Sequence, residues 1–172
     1  MVDEIATAWG IITVNRALAS QIEDILAVLD SAAHWLISKG IRDPWHPGEW
    51  PLERIMKSIE RGEVQLAKLG QQNVATITLQ WSDELFWPDK PPDAGYIHRL
   101  AVATGFHGRE IGSSLLKWAE LKTRENGKKY LRLNCMAANL TLRKYYEQAG
   151  FTCRGELRET RGLACLYERI LF

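Results

Sequence analysis

Between Gly95 and Asn126 the chain changes its period. The run GYIHRLAVA (Gly95–Ala103) reads as a strand. TGFHGRE follows, with two glycines, and then IGSSLLKWAELKTREN, in which Ile111, Leu115, Leu116, Ala119 and Lys122 share one side of a helix. A strand, a glycine-bearing turn and a helix in that order leave unpaired backbone N–H groups at the helix N-terminus. Those donors and the helix dipole attract an anion. A plain strand-to-helix turn, with glycines relieving backbone strain, is the competing reading of the same residues. Backbone donors work whatever the side chain, so Glu110 is compatible with an anion site provided its carboxylate turns to solvent. No Lys-Ser or Lys-Thr follows the glycines and G-x-G-x-x-G is absent, which removes the nucleotide P-loop and the dinucleotide fingerprint.

The remaining segments extend this into a mixed α/β chain. IITVNRA (Ile11–Ala17) is a short strand. Ser20 with Glu23 fits a capping box for a helix through Ile22, Ile25, Leu26, Leu29, Ala33 and Leu36, which Gly40 stops. IRDPWHPGEWP is a loop, and Leu52–Arg61 a second helix. EVQLAKL and VATITLQW alternate around GQQN, as a β-hairpin does, and Ser82–Ala94 is a loop. YLRLNC is a strand, Asn139 caps a helix to Gln148 ahead of Gly150, and strands near Phe151–Leu157 and Ala164–Ile170 close the chain. With 172 residues and neither repeats nor an interdomain linker, one domain over 1–172 is expected.

Composition narrows the partners. Lys plus Arg number 22 against 21 Asp plus Glu, a net charge of +1, so the basic excess of a nucleic-acid binder is missing. No apolar run reaches the ~18 residues of a membrane span. Asp3 and Glu4 stand where a signal peptide carries basic residues. Cys135, Cys153 and Cys165 form no C-x-x-C pair, and a reducing cytoplasm is the expected setting. His34 and His46 have no partners at metal-ligand spacing, so no metal is expected.

YIHRLAVATGFHGREIGSSLL and NLTLRKYYEQAGF together resemble the two signature segments of the GCN5-related N-acetyltransferase (GNAT) superfamily. The first is a Leu-x-Val strand followed by Q/R-x-x-G-x-G/A. Leu100, Ala101 and Val102 match the strand, His107 stands for Gln/Arg, Glu110 for the first glycine, and Gly112 matches the second. The second, N-x-x-A-x-x-F-Y-E-x-x-G-F, is matched by Asn139, Tyr145, Tyr146, Glu147, Gly150 and Phe151, with Leu142 replacing Ala. The resemblance is strongest over residues 95–152. It implies a mixed, mostly antiparallel sheet flanked by helices, with acetyl-CoA as co-substrate. The pyrophosphate would then lie on the amides of Gly108, Arg109, Glu110, Ile111, Gly112 and Ser113, next to His107. Backbone groups near Leu100, Ala101 and Val102 would meet the pantetheine arm and thioester carbonyl at a bulge, with Asn139 as a further contact.

Acetyl transfer to an amine needs a route for the amine proton, donors for the developing oxyanion and an acid for the departing thiolate. Tyr146 matches the family's tyrosine near the thioester sulfur, while a Tyr145–Tyr146 pair on its own reads as core. His98 lies two residues before Leu100, and an imidazole suits proton removal at neutral pH. HRLAV is similar to the strand of serotonin N-acetyltransferase, whose matching histidine is linked to that step. A structural histidine is the alternative. Tyr96 takes the place where some members carry a catalytic Glu. Asn139 is explained by capping alone, and Cys135 as a buried inert thiol.

Trp45, Trp50, Trp81 and Trp87 fall in regions that border the acceptor pocket in this superfamily. They would suit an apolar or cationic amine, or else serve as core anchors. Asp83, Glu84 and Asp93 could attract an ammonium or simply be solvated. The implied reaction is acetyl transfer from acetyl-CoA to a primary amine of a small molecule in a ternary complex. The alternatives are acetylation of a protein N-terminus or lysine, and a non-catalytic acyl-CoA sensor. Monomer and homodimer both remain open.

Overall fold

A computed structural model describes residues 2–41 and 43–171; Arg42, in the proline- and tryptophan-rich loop, lies outside the described residues. One eight-stranded sheet runs through the molecule. Its strands are β1 (Asp3–Thr7), β2 (Gly10–Arg16), β3 (Val64–Leu69), β4 (Gln72–Gln80), β5 (Ala94–Val102), β6 (Tyr130–Met136), β7 (Thr152–Glu159) and β8 (Gly162–Ile170). They lie in the order β1-β2-β3-β4-β5-β6-β8-β7. Every neighbouring pair is antiparallel except β5 with β6. That parallel pair needs a crossover, which α3 (Ile111–Glu125) supplies. The other helices are α1 (Ile22–Ser38), α2 (Leu52–Glu60) and α4 (Leu140–Gln148).

Strand alternation divides the core. Val64 and Leu66 of β3 pack with α1 and α2 through Ile25, Leu29, Ile55 and Ile59. Ala67, with Ile12, Val14 and Ile77, belongs to the cluster under α3, where Ile111, Leu115 and Ala119 are buried. The helical stripe expected from the sequence is therefore the face that packs on the sheet. Lys122 stays at its margin, 3.0 Å from Asp3 Oδ1.

Two local expectations are corrected. No capping box forms at Ser20: a 3₁₀ turn over Ala19–Gln21 precedes α1, and Gln21 Oε1 accepts the Leu18 N–H at 3.0 Å. The N-terminal strand β1, whose residues are alternately half-buried and exposed, pairs with β2 at the sheet edge, where the sequence showed one strand alone. Gly40 does end α1. At φ 65° it lets its own N–H reach Ile37 O and the Ile41 N–H reach Leu36 O, both at 3.0 Å. No helix among the described residues is long and apolar enough to cross a membrane.

Candidate active site

The parallel pairing of β5 and β6 stops early. It runs from Ala94 opposite Tyr130 to Ile97 opposite Leu133, after which β6 remains paired only with β8. On its other edge β5 bulges. His98 pairs with Thr78 and Ala101 with Thr76, so Arg99 and Leu100 together face Ile77. Arg99 takes the extra turn with φ 48°, a left-handed conformation rare for a side chain of its size. The bulge bends the strand away from β6. A cleft of about 1060 Å³ opens there, between residues 97–102 of β5 and 134–136 of β6. The resemblance implied a splayed strand at Leu100–Val102, and the structure has one.

The loop after β5 forms one wall. The first helical bond of α3 runs from Ser114 N–H to Glu110 O at 2.9 Å. Among the described residues, the N–H groups from Gly108 to Ser113 donate to no protein acceptor. They form the donor cluster that an anion needs. Glu110 is the N-cap, exposed at the cleft rim, with φ 59°. This explains the family's glycine: the position demands a left-handed backbone, at a cost of about 1–2 kcal/mol for a side-chain-bearing residue. Gly112 answers a different demand, since a Cβ there would stand 2.9 Å from the Tyr145 hydroxyl. Tyr145 thus seats α4 against the first turn of α3. The Arg109 side chain does not line the cleft; it lies over Trp9 and Phe106, 4.8 and 5.0 Å from their ring centroids, so only its amide is offered. His107 lines the cleft and stacks on Trp35 at 4.1 Å. Burial, then the Lys39 charge, lowers its pKa, which keeps the ring neutral beside the donors.

Glu110→Gly removes both the strained backbone and a negative charge. The variant is expected to melt higher, by about 1 kcal/mol or less once the added freedom of the unfolded chain is offset. It should also bind acetyl-CoA more tightly, most clearly at low salt. Calorimetric titration at two ionic strengths checks this; weaker binding would show that the carboxylate makes a useful contact.

The central residues meet in the cleft. Both His98 and Leu100 line it despite the bulge between them. His98 Nε2 lies 2.9 Å from Asp83 Oδ2, both side chains being almost fully buried, and neither atom has a well-aligned hydrogen-bond partner among the described residues. Asp83 is fixed by its own turn, accepting Phe86 N–H at Oδ1 (3.2 Å) and Trp87 N–H at its carbonyl (2.8 Å). Asp83 is therefore a buried companion of His98, where the sequence suggested a solvated or ammonium-attracting loop residue. Asp93 is likewise engaged, 3.3 Å from Arg132.

Tyr146 is 5% exposed and lines the cleft among Tyr145, Phe151 and Tyr167. Burial, with Cys135 adjacent, raises its pKa, so the phenol keeps its proton. Burial also pushes the Cys135 thiol up to about 12, which leaves it unsuited as a nucleophile.

Asn139 does cap α4, accepting Leu142 N–H at 3.0 Å, and its amide donates to Asp43 Oδ2 at 3.0 Å. The residue lines the cleft and is 2% exposed, and with both ends of its side chain engaged it ties Asp43 of the α1–α2 loop to the start of α4. Of the four tryptophans, Trp45 and Trp50 line the cleft, edge to face at 5.3 Å, with Trp50 Nε1 donating to Asp30 Oδ1 at 2.5 Å. Trp81 packs against the α3 core, and Trp87 is buried beneath the Arg132 guanidinium, 5.2 Å from the ring centroid. Arg132 also donates to Tyr96 at 2.9 Å, which turns Tyr96 away from the cleft. Trp35, Phe86 and the β7–β8 tip at Glu159, Thr160 and Arg161 complete the walls, and no local signal marked them in advance. No group of metal-ligating side chains occurs among the described residues.

A model of the acetyltransferase (GNAT) family matches residues 29–151. The N-acetyltransferase YesJ of Bacillus subtilis (strain 168), itself uncharacterized, is 30% identical over 147 residues, 81% of each chain. A GNAT-family acetyltransferase from Listeria monocytogenes 4b F2365 superposes with a TM-score of 0.82 at 25% identity, covering 98% of this chain and 100% of that one. The PaiA N-acetyltransferase of Thermoplasma acidophilum, solved in complex with coenzyme A, gives 0.72 at 17% identity over 92% and 98%.

Proposed function

Because this chain belongs to the GNAT acetyltransferase family, we propose that it moves an acetyl group from acetyl-CoA to a primary amine of a small molecule, by direct attack in a ternary complex. One observation carries this reading: a single cleft is lined by the loop and helix start that bear the free amides (Gly108 and Glu110–Ser113), by His98 and Tyr146, and by Trp45 and Trp50. Acetyl-CoA supplies an activated thioester. The amides of Gly108–Ser113 hold its pyrophosphate, and the backbone at Leu100–Val102, left unpaired toward β6, receives the pantetheine arm. Coenzyme A is the ligand named for the PaiA structure, which supports the same co-substrate here.

The chain's own residues then divide the proton traffic. His98 takes the amine proton, held in place by Asp83. Tyr146, protonated because it is buried, donates to the leaving sulfur. Cys135 stays a thiol, in keeping with direct attack rather than an acetyl-enzyme. The walls contributed by Trp45, Trp50 and Arg161 favour a small acceptor over a peptide.

Acetyl-CoA should raise the melting temperature, since saturation at about 100 Kd adds about 2.7 kcal/mol. Silence with both acetyl-CoA and CoA at millimolar concentration would sink the assignment. Release of free thiol across a panel of amines then distinguishes an enzyme from an acyl-CoA sensor.

A further inference from the structure

Two guanidinium groups in the cleft have no carboxylate partner. Arg99 occupies the bulge between His98 and Leu100, and all three line the cleft. Arg54, in the first turn of α2, lines it too. Most arginines elsewhere are engaged: Arg124 and Arg169 by Glu120, Arg132 and Arg154 by Glu168, Arg161 by Glu159, Arg143 by the Tyr167 hydroxyl, and Arg16 by the Glu60 carbonyl. Arg61 and Arg158 are exposed to solvent, and Arg109 lies over Trp9 and Phe106, so none of these three lines the cleft. Among the described residues, Arg99 and Arg54 make neither an ion pair nor a side-chain hydrogen bond. Glu63 is the carboxylate whose field favours the charged Arg99, but its Oε2 accepts from Gln80 at 2.7 Å. Of the acids in the cleft, Asp43 is held by Asn139 and the Trp45 N–H, and Glu159 faces Arg161, while Glu49 and Glu110 are exposed.

An arginine that is half-buried without a counter-ion, beside a second positive charge and on a left-handed backbone, breaks three local preferences at once. Burial, then repulsion from Arg54, pushes Arg99 down to about 10. Such conflicts concentrate where a ligand resolves them. The planar fork of arginine fits carboxylate and phosphate oxygens, two at a time.

We propose that Arg99 and Arg54 hold an anionic group of the acceptor, so that the substrate is a small amine that also carries a carboxylate or a phosphate. This rests on the acetyltransferase reading above. Arg99 follows His98 in the chain, so the anchor for the anion adjoins the group that takes the amine proton. Trp45 and Trp50 then flank the acceptor's apolar body, in place of the cation–π contact that their sequence positions suggested.

The test pairs acceptors that differ in the anion alone: amino acids against their amides, and 2-aminoethyl phosphate against ethanolamine, with a polyamine as the cationic arm. Thiol release should give the anionic member of a pair a kcat/KM about 10- to 100-fold higher. Whichever anion is preferred, the ratio should collapse in Arg99→Gln and Arg54→Gln and partly survive in Arg99→Lys, with the acetyl-CoA Kd unchanged. Arg54 is exposed on α2, so its variant should fold even if Arg99→Gln does not.

Preference for neutral or cationic amines, or a ratio that survives both Gln variants, overturns the proposal and leaves the acetyltransferase reading standing. Loss of acetyl-CoA affinity in the variants, with the ratio intact, would place the arginines at the co-substrate instead and also overturn it. If acetyl-CoA binds but no amine turns over, the same amino acids and 2-aminoethyl phosphate are titrated calorimetrically into the acetyl-CoA complex. Saturable binding lost in Arg99→Gln supports the proposal, and no binding to the wild type refutes it. Failure of acetyl-CoA itself to bind removes both readings.

Discussion

Tyr146→Phe is expected to lower kcat by about 10²–10⁴ while leaving acetyl-CoA affinity nearly unchanged. The substitution deletes one hydroxyl that has no protein hydrogen-bond partner among the described residues. The ring keeps its contacts with Tyr145, Phe151 and Tyr167. Burial raises the phenol's pKa, so it holds its proton across the neutral range. A thiolate, with a conjugate acid near ~8.5, is the weaker base of the two, so the hydroxyl acts as a positioned donor to the sulfur as its charge develops. Stopped-flow measurement of the chemical step separates this from product release. A rate unchanged there would make Tyr146 a packing residue, which the surrounding rings would equally explain.

His98→Gln should slow kcat/KM by a similar factor, about 10²–10⁴, because it removes the group that takes the amine proton. Glutamine retains an N–H donor for Asp83 Oδ2, which in the wild type lies 2.9 Å from the ring nitrogen, so the buried carboxylate keeps a partner and the fold should persist. A variant that keeps the rate would transfer proton removal to a water chain.

Local signals carried much of this molecule. The strand, loop and helix at 94–125 and the capped helix from Asn139 are short-range devices, and they stand where the sequence puts them. Tertiary circumstance accounts for what was missed. DEIAT has too few residues to announce a strand and becomes one by pairing with β2. Asp83 and Asp43 read as ordinary loop acids until the fold buries one against His98 and ties the other to Asn139, 96 positions away. The bulge at Arg99 exists only relative to β4, so nothing in HRLAV marks an arginine that will lack a partner. Glu110 departs from the family pattern in chemistry yet adopts the left-handed turn that a glycine would take.

The N-terminal hairpin, which precedes the span matched by the family model, reaches α3 at two points. Trp9 stacks under Arg109, just ahead of the helix. Asp3 accepts from Trp118 Nε1 at 2.9 Å and from Lys122 at 3.0 Å, two turns further along. Opening the hairpin therefore removes two tethers from the helix whose first turn presents the free amides, and the two segments are expected to loosen together. Slow amide exchange in the first turn of α3 would then report on an edge strand far away in sequence, and removal of the first nine residues would cost anion binding before it cost the core.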